Sequence, residues 1–150
     1  MKPLNSRQIK KLNKEITGLY NLKKNNLLKS YSIFENNKGK IYITTKEINK
    51  LNLKLNSIGI YFAKRHPRLN LITLSIEGSQ LLGKFSRNIL ELNKKQIEEW
   101  IKANNIEIKK PDNIYTVSYK NNFFGTGIIN NNILKNFIGK DRKLKEILFL

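Results

Sequence analysis

Two stretches concentrate the side chains that could do chemistry. Lys64-Arg65-His66-Pro67-Arg68 sets the only histidine among cations, and Lys140, Asp141, Arg142, Lys143 and Lys145 crowd the end of the chain. These types offer phosphate recognition, because flexible cations at turns and strand ends can follow a nucleic-acid backbone. Arginine adds bidentate contact and stacking that lysine provides less well. The arginines of the chain are Arg7, Arg65, Arg68, Arg87 and Arg142, so their gathering beside lysines carries more information than lysine content alone. Catalytic chemistry lacks its usual participants. A single histidine excludes a paired-histidine metal site. Its cationic neighbours should depress its pKa, which makes His66 a loop residue or RNA contact and not a base. The absence of cysteine excludes disulfides, thiolate metal sites and cysteine nucleophiles. Neither a P-loop nor a G-x-G-x-x-G sequence occurs. Glu98 and Glu99 are adjacent, and neighbours on a helix face apart, so they form no dyad. Asp112 sits in a Pro-Asp-Asn turn, where a carboxylate serves the backbone, and Asp141 should pair with its flanking cations. The expectation is a protein that is not an enzyme and uses no cofactor or metal.

The totals point the same way. The 150 residues hold 29 Lys and Arg against 11 Asp and Glu, a formal net charge of +18. Such an excess costs stability by self-repulsion and is naturally explained by a polyanionic partner. AT-rich coding could inflate lysine together with asparagine and isoleucine, but it does not explain the scarcity of acids. An anionic membrane surface is the lesser competitor for the charge. Apolar residues make up 39%, enough for one ordinary domain or two small ones with a real core. No apolar run approaches the roughly 18 residues of a membrane span. The start, MKPLNSRQIKKLNKEI, is basic without the apolar stretch of a secretory signal. A cytoplasmic location is expected.

The elements that must position these residues follow from periodicity. Ile9, Leu12, Ile16 and Leu19 recur at helical steps over residues 6–20, with Asn5 or Ser6 as cap and Lys10, Lys11 and Lys14 on a solvated face. YSIFENNKGKIYITT reads as a hairpin turning at 36–39. TTKEINKLNLKLN reads as a short helix capped by Thr44 or Thr45, with Ile48, Leu51 and Leu55 inward. SIGIYFAK and LNLITLSI are strands around the loop KRHPR, and Glu77-Gly78-Ser79 reads as a break. The second part opens with a helical turn and a strand in GSQLLGKFSRNILEL. Asn93 then caps KKQIEEWIKA with Gln96 in a capping-box position, and Trp100 shares an inward face with Ile97 and Ile101. Strands at Ile106–Ile108, Tyr115–Tyr119, Phe123–Ile129 and Ile133–Ile138, joined by tight turns, suggest a small barrel. Gly125 and Gly127 interrupt one of these strands, and regular alternation would set them on the same side of it. A bulge, a barrel corner, or close approach of a backbone or ligand would each account for them.

The course from GSQLLGKFSRNILEL through NKKQIEEWIKANNIEI to YTVSYKNNFFGTGIINNNILKNFIGKDRKL resembles the PUA domain, a small RNA-binding pseudo-barrel. The first half, with MKPLNSRQIKKL and NSIGIYFAKRHPRLNLITLSI, resembles the domain that precedes PUA in the Nip-seven ribosome-assembly factors. The second half is equally similar to the PUA tails of archaeal RNA 5-methylcytosine methyltransferases, whose catalytic domain and cysteines have no counterpart here. The resemblance implies an α+β protein: a small α/β pre-PUA module over 1–77 and a PUA pseudo-barrel over 78–150. It further implies a monomeric, stand-alone RNA-binding protein acting on an rRNA precursor or tRNA. Ribosome-assembly or RNA-modification proteins are its expected partners, and a membrane is not. Candidate RNA contacts are Lys64, Arg65, Arg68, Lys84, Arg87, Lys140, Arg142 and Lys143. The family's tail commonly carries a proline and paired arginines where this chain has Ile138-Gly139-Lys140-Asp141-Arg142, which weakens the tail contacts. Two rival functions are a protein-interaction adaptor docking through Trp100 or a strand edge, and a targeting subunit for a modifying enzyme supplied in trans. RNA is favoured over DNA because PUA-like recognition uses helix ends and single-stranded tails.

Overall fold

Asn5 and Gln8 start the first element by capping each other. The Asn5 side chain accepts from the Gln8 backbone N–H and the Gln8 side chain accepts from the Asn5 N–H, both at 2.9 Å, so two orphan donors of a helix start are satisfied. The computed structural model describes residues 2–46 and 59–139. In it α1 (Ser6–Tyr20) buries Leu12, Ile16 and Tyr20, with Ile9 and Leu19 half-buried beside them. The expected apolar stripe is present and also takes in Tyr20.

β1 (Ser32–Glu35) and β2 (Lys40–Thr44) form the expected hairpin, with Ile33 opposite Ile43 and Glu35 opposite Ile41. The Asn36 side chain accepts from the backbone N–H groups of Lys38 and Lys40, both at 3.0 Å, and closes the turn. The helix expected after Thr45 lies outside the described residues from position 47 onward. β3 (Ile60–His66) and β4 (Leu71–Leu74) complete an antiparallel sheet in the order β1-β2-β3-β4. Here the expected loop is shorter than the sequence suggested. Arg65 pairs with Ile72 and His66 with Leu71, so the strand runs through the basic cluster and only Pro67–Leu69 turns. Cross-strand pairing overrides the polar composition, and Pro67 ends the strand because it has no N–H to offer.

The expected break at Glu77-Gly78-Ser79 is instead the first turns of α2 (Ile76–Leu82). Ser75 caps this helix, its hydroxyl accepting from the Gly78 N–H at 2.9 Å. A Cβ on Gly78 would strike the carbonyl oxygen of Phe62, so the glycine serves close helix–strand packing and not a turn. The boundary expected near residue 77 falls inside α2, which packs on β3 of the first sheet and on β8 of the second.

The second sheet comprises β5 (Ile89–Glu91), β6 (Ile106–Glu107), β7 (Asn113–Tyr119), β8 (Asn122–Asn130) and β9 (Ile133–Asn136), in the order β5-β7-β8-β9-β6. β5 and β7 are parallel, and the other pairs antiparallel. With β5 and β6 as rims, the sheet is a half-barrel within an α+β fold, as expected. α3 (Lys94–Ile101) carries the expected Asn93–Gln96 capping box. Trp100 is fully buried among Ile97, Val117, Ile129 and Leu134, and its indole N–H donates to the Phe124 carbonyl at 2.8 Å. It is a core anchor. Asp112 serves the backbone as expected, accepting from the Asn131 N–H at 3.2 Å.

The two glycines of β8 separate in role. Between the pairs Thr116–Thr126 and Ser118–Phe123, β7 has one residue where β8 has Phe124 and Gly125. This is a β-bulge, and Gly125 occupies it with φ +90°. Because the bulge turns the strand, Gly125 faces the Leu74 carbonyl while Gly127 faces the core. A Cβ at Gly127 would lie 2.5 Å from Leu134 Cδ1 and 2.9 Å from Trp100 Cη2. They do not share a side, and both are explained by fold.

A buried chain of hydrogen bonds ties the sheets together. The Leu74 N–H donates to Thr126 Oγ1 at 2.8 Å, and the Tyr20 hydroxyl donates to the Ile72 carbonyl at 2.8 Å. With its proton so committed, Tyr20 accepts from the Thr126 hydroxyl at 2.7 Å. Burial raises the pKa of the Tyr20 phenol, so it stays a neutral donor. Ile114 of β7 also enters the core cluster of the first sheet.

Candidate nucleic-acid interface

Strand alternation sends Lys64 and Arg65 of β3 to opposite faces, and their surroundings differ accordingly. The Arg65 guanidinium donates from Nη1 to Glu15 Oε2 at 2.7 Å and from Nε to Glu35 Oε2 at 3.3 Å. Burial alone would lower its pKa, but the hydrogen bonds and charges of Glu35 and Glu15 outweigh this and raise it. Arg65 is thus committed to holding α1 against β1 and β3, and is not presented to a ligand.

Lys64 faces a cleft of about 250 Å³ between the two sheets. Its cross-strand neighbour is Lys40, which lines the same cleft with Tyr61, Ser75, Gly125 and Phe137. Like charges directly opposite in a sheet repel. Neither lysine has a carboxylate partner among the described residues. The Lys40 ammonium lies 5.5 Å from the Tyr61 ring centroid. His66 Nε2 is 2.8 Å from Thr73 Oγ1 and its ring meets Phe137 edge-on at 5.4 Å. Burial, then the charges of Lys64 and Lys135, lowers its pKa, the direction expected from sequence.

The remaining candidates are dispersed. Arg68 is exposed in the turn after β3. Lys84 is exposed after α2, its ammonium 5.2 Å from the Phe85 ring centroid. Arg87 is exposed and donates to the Asn21 carbonyl at 3.3 Å, beside the end of α1. Lys140, Arg142 and Lys143 lie outside the described residues. A second groove, of about 650 Å³, sets Lys10, Lys24, Lys29 and Lys46 around Leu28 and Tyr31. Sequence reasoning missed Lys40. The signal that could have found it was strand register: a lysine just after the hairpin turn falls beside the basic end of β3.

Residues 87–144 match the family model described as the methyltransferase RsmF PUA domain. The chain is also 32% identical over 107 residues to tRNA pseudouridine synthase B of Mycoplasma mobile, a match covering 67% of this chain. The chain spans 37% of that relative's own length. Among the described residues no helix is long and apolar enough to cross a membrane.

Proposed function

Because residues 87–144 carry a PUA domain, we propose that this protein is a non-catalytic RNA-binding protein that recognises structured RNA. tRNA or an rRNA precursor is the ligand in this reading. One observation carries it: the RNA-binding module sits in a chain of net charge +18, and only Arg65 and Lys102 form ion pairs with carboxylates among the described residues. The other described cations are available for phosphates, whose neutralisation releases counterions and drives binding. Its role is that of an accessory to RNA modification or ribosome assembly, and it works as a monomer in the cytoplasm.

A more specific version has a basis in the comparisons. The family model bears the name of a methyltransferase and the relative that of a tRNA pseudouridine synthase, which favours a targeting role beside a modifying enzyme over a general adaptor role. tRNA is the first ligand to test because the relative's name contains it. Fluorescence anisotropy should be measured with a folded tRNA, the same tRNA without its single-stranded 3′ end, and DNA of equal length, each at two salt concentrations. Preference for folded RNA that persists at the higher salt is the expected result. Equal binding to all three that collapses with salt would overturn the proposal. Neutralising Lys140, Arg142 and Lys143 together should flatten the salt dependence by about three in slope if each meets a phosphate. An unchanged slope would remove the tail from the interface.

A further inference from the structure

Lys40 and Lys64 stand side by side across β2 and β3, inside the cleft that separates the two sheets. Unrelieved like-charge pairs in a sheet cost stability, whereas an acid opposite a lysine would contribute to it. The cleft therefore has the charge of an anion site. It is also walled by aromatic rings. Tyr61 is already covered by Lys40 on one side and tilts against Tyr42 with centroids 5.7 Å apart. Phe137 is half-buried, with His66 at its edge and the Lys135 ammonium 5.6 Å from its centroid. Cations beside an aromatic face are the parts that single-stranded nucleic acid uses, phosphate on the cations and base on the ring. The cleft is too small for a duplex groove to enter and smaller than the common range of small-molecule sites. Both sheets build it: Lys40, Tyr61 and Lys64 come from the first, and Gly125, Thr126 and Phe137 from the second part of the chain.

We infer that this cleft holds one unpaired nucleotide of the bound RNA, its phosphate between Lys40 and Lys64 and its base against Phe137. The inference rests on the RNA-binding reading and adds a specific pocket to it. The bulge at Gly125 brings the β8 backbone to the cleft wall. A side chain there is disfavoured by the positive φ, which favours an open wall.

His66 is the only histidine in the chain and touches both Phe137 and Thr73 of the cleft lining. Its imidazole C–H resonances therefore report on this cleft without ambiguity. The experiment titrates 5′-AMP, inorganic phosphate and a short single-stranded oligoribonucleotide into the full chain by NMR. The same sample is tested for tRNA binding by anisotropy. AMP and the oligonucleotide should shift the His66 signals saturably, and phosphate should do so roughly tenfold more weakly, because it lacks a base to stack. Lys40→Gln with Lys64→Gln should abolish the shifts while leaving the rest of the spectrum folded. Phe137→Leu should weaken AMP and leave phosphate unchanged. If tRNA binds and neither AMP nor the oligonucleotide moves His66, the cleft assignment is overturned and the RNA reading stands. If phosphate and AMP bind equally, the cleft is a simple anion site and the nucleotide assignment is wrong. If tRNA does not bind at all, the RNA reading itself fails, and the cleft assignment with it.

Discussion

Lys64 and Arg65 are chain neighbours with opposite duties, and substitution should separate them. Arg65→Ala would leave Glu15 and Glu35 facing each other without a counter-ion, so a loss of about 1–2 kcal/mol in urea unfolding is expected, typical of a partly exposed charged hydrogen-bond cluster. The salt slope of RNA binding should not change. Lys64→Gln should do the reverse: relief of repulsion from Lys40 keeps stability level or raises it by a few tenths of a kcal/mol, while RNA affinity falls. An Arg65 variant with an altered salt slope, or a Lys64 variant with full affinity, would contradict these assignments. His66 supplies a pH prediction. Its folded pKa lies below the ordinary 6.5, so the unfolded chain binds the proton more readily. The contribution is fully present above about pH 6.5 and is lost as pH falls through that value toward the folded pKa. Wild type should therefore lose more stability than His66→Gln between about pH 7.5 and 5.5, measured by parallel urea melts.

At the scale of elements, β8 is the most constrained strand. Gly127→Val would press two methyl groups into Leu134 and Trp100, and destabilisation of about 1–3 kcal/mol or more is expected from overpacking. A thermal melt decides it, and an unchanged midpoint would mean that the space was there. Most elements could be read from the chain, because their signals are local. The α1 stripe, the Asn36–Gly39 turn, the Asn93 cap and the alternation in β7 and β8 each lie within a few residues of sequence. What escaped was set by distant partners. Glu77-Gly78-Ser79 resembles a turn, but the pressure of α2 on Phe62 demands the glycine. Strand β3 extends through charged residues because β4 lies alongside. The bulge at Gly125 depends on β7, so the two glycines could not be assigned to different faces from spacing alone. Site residues were legible as charge and illegible as geometry. Arg65 and Lys64 look equivalent in sequence, and only the positions of Glu15, Glu35 and Lys40 distinguish them.

Across the whole molecule, the two sheets share their interior. Tyr20, Ile72, Leu74 and Thr126 exchange buried hydrogen bonds, Ile114 of β7 completes the first core cluster, and α2 packs on both sheets. Residues 87–144 expressed alone would expose Ile114 and leave Thr126 without its partners. That fragment should show poor chemical-shift dispersion and no cooperative melt, whereas the full chain should melt in one transition. A sharp melt of the fragment would show that the shared interior is dispensable.

The same interlocking bears on how such a module can be inherited. A recombination event that cut between β4 and β5 would deliver a segment with an open seam, and selection would act against it before any RNA was met. On this argument the piece expected to travel between genes is longer than residues 87–144. In keeping with this, the similarity to the Mycoplasma mobile relative covers 67% of this chain, more than residues 87–144 could supply.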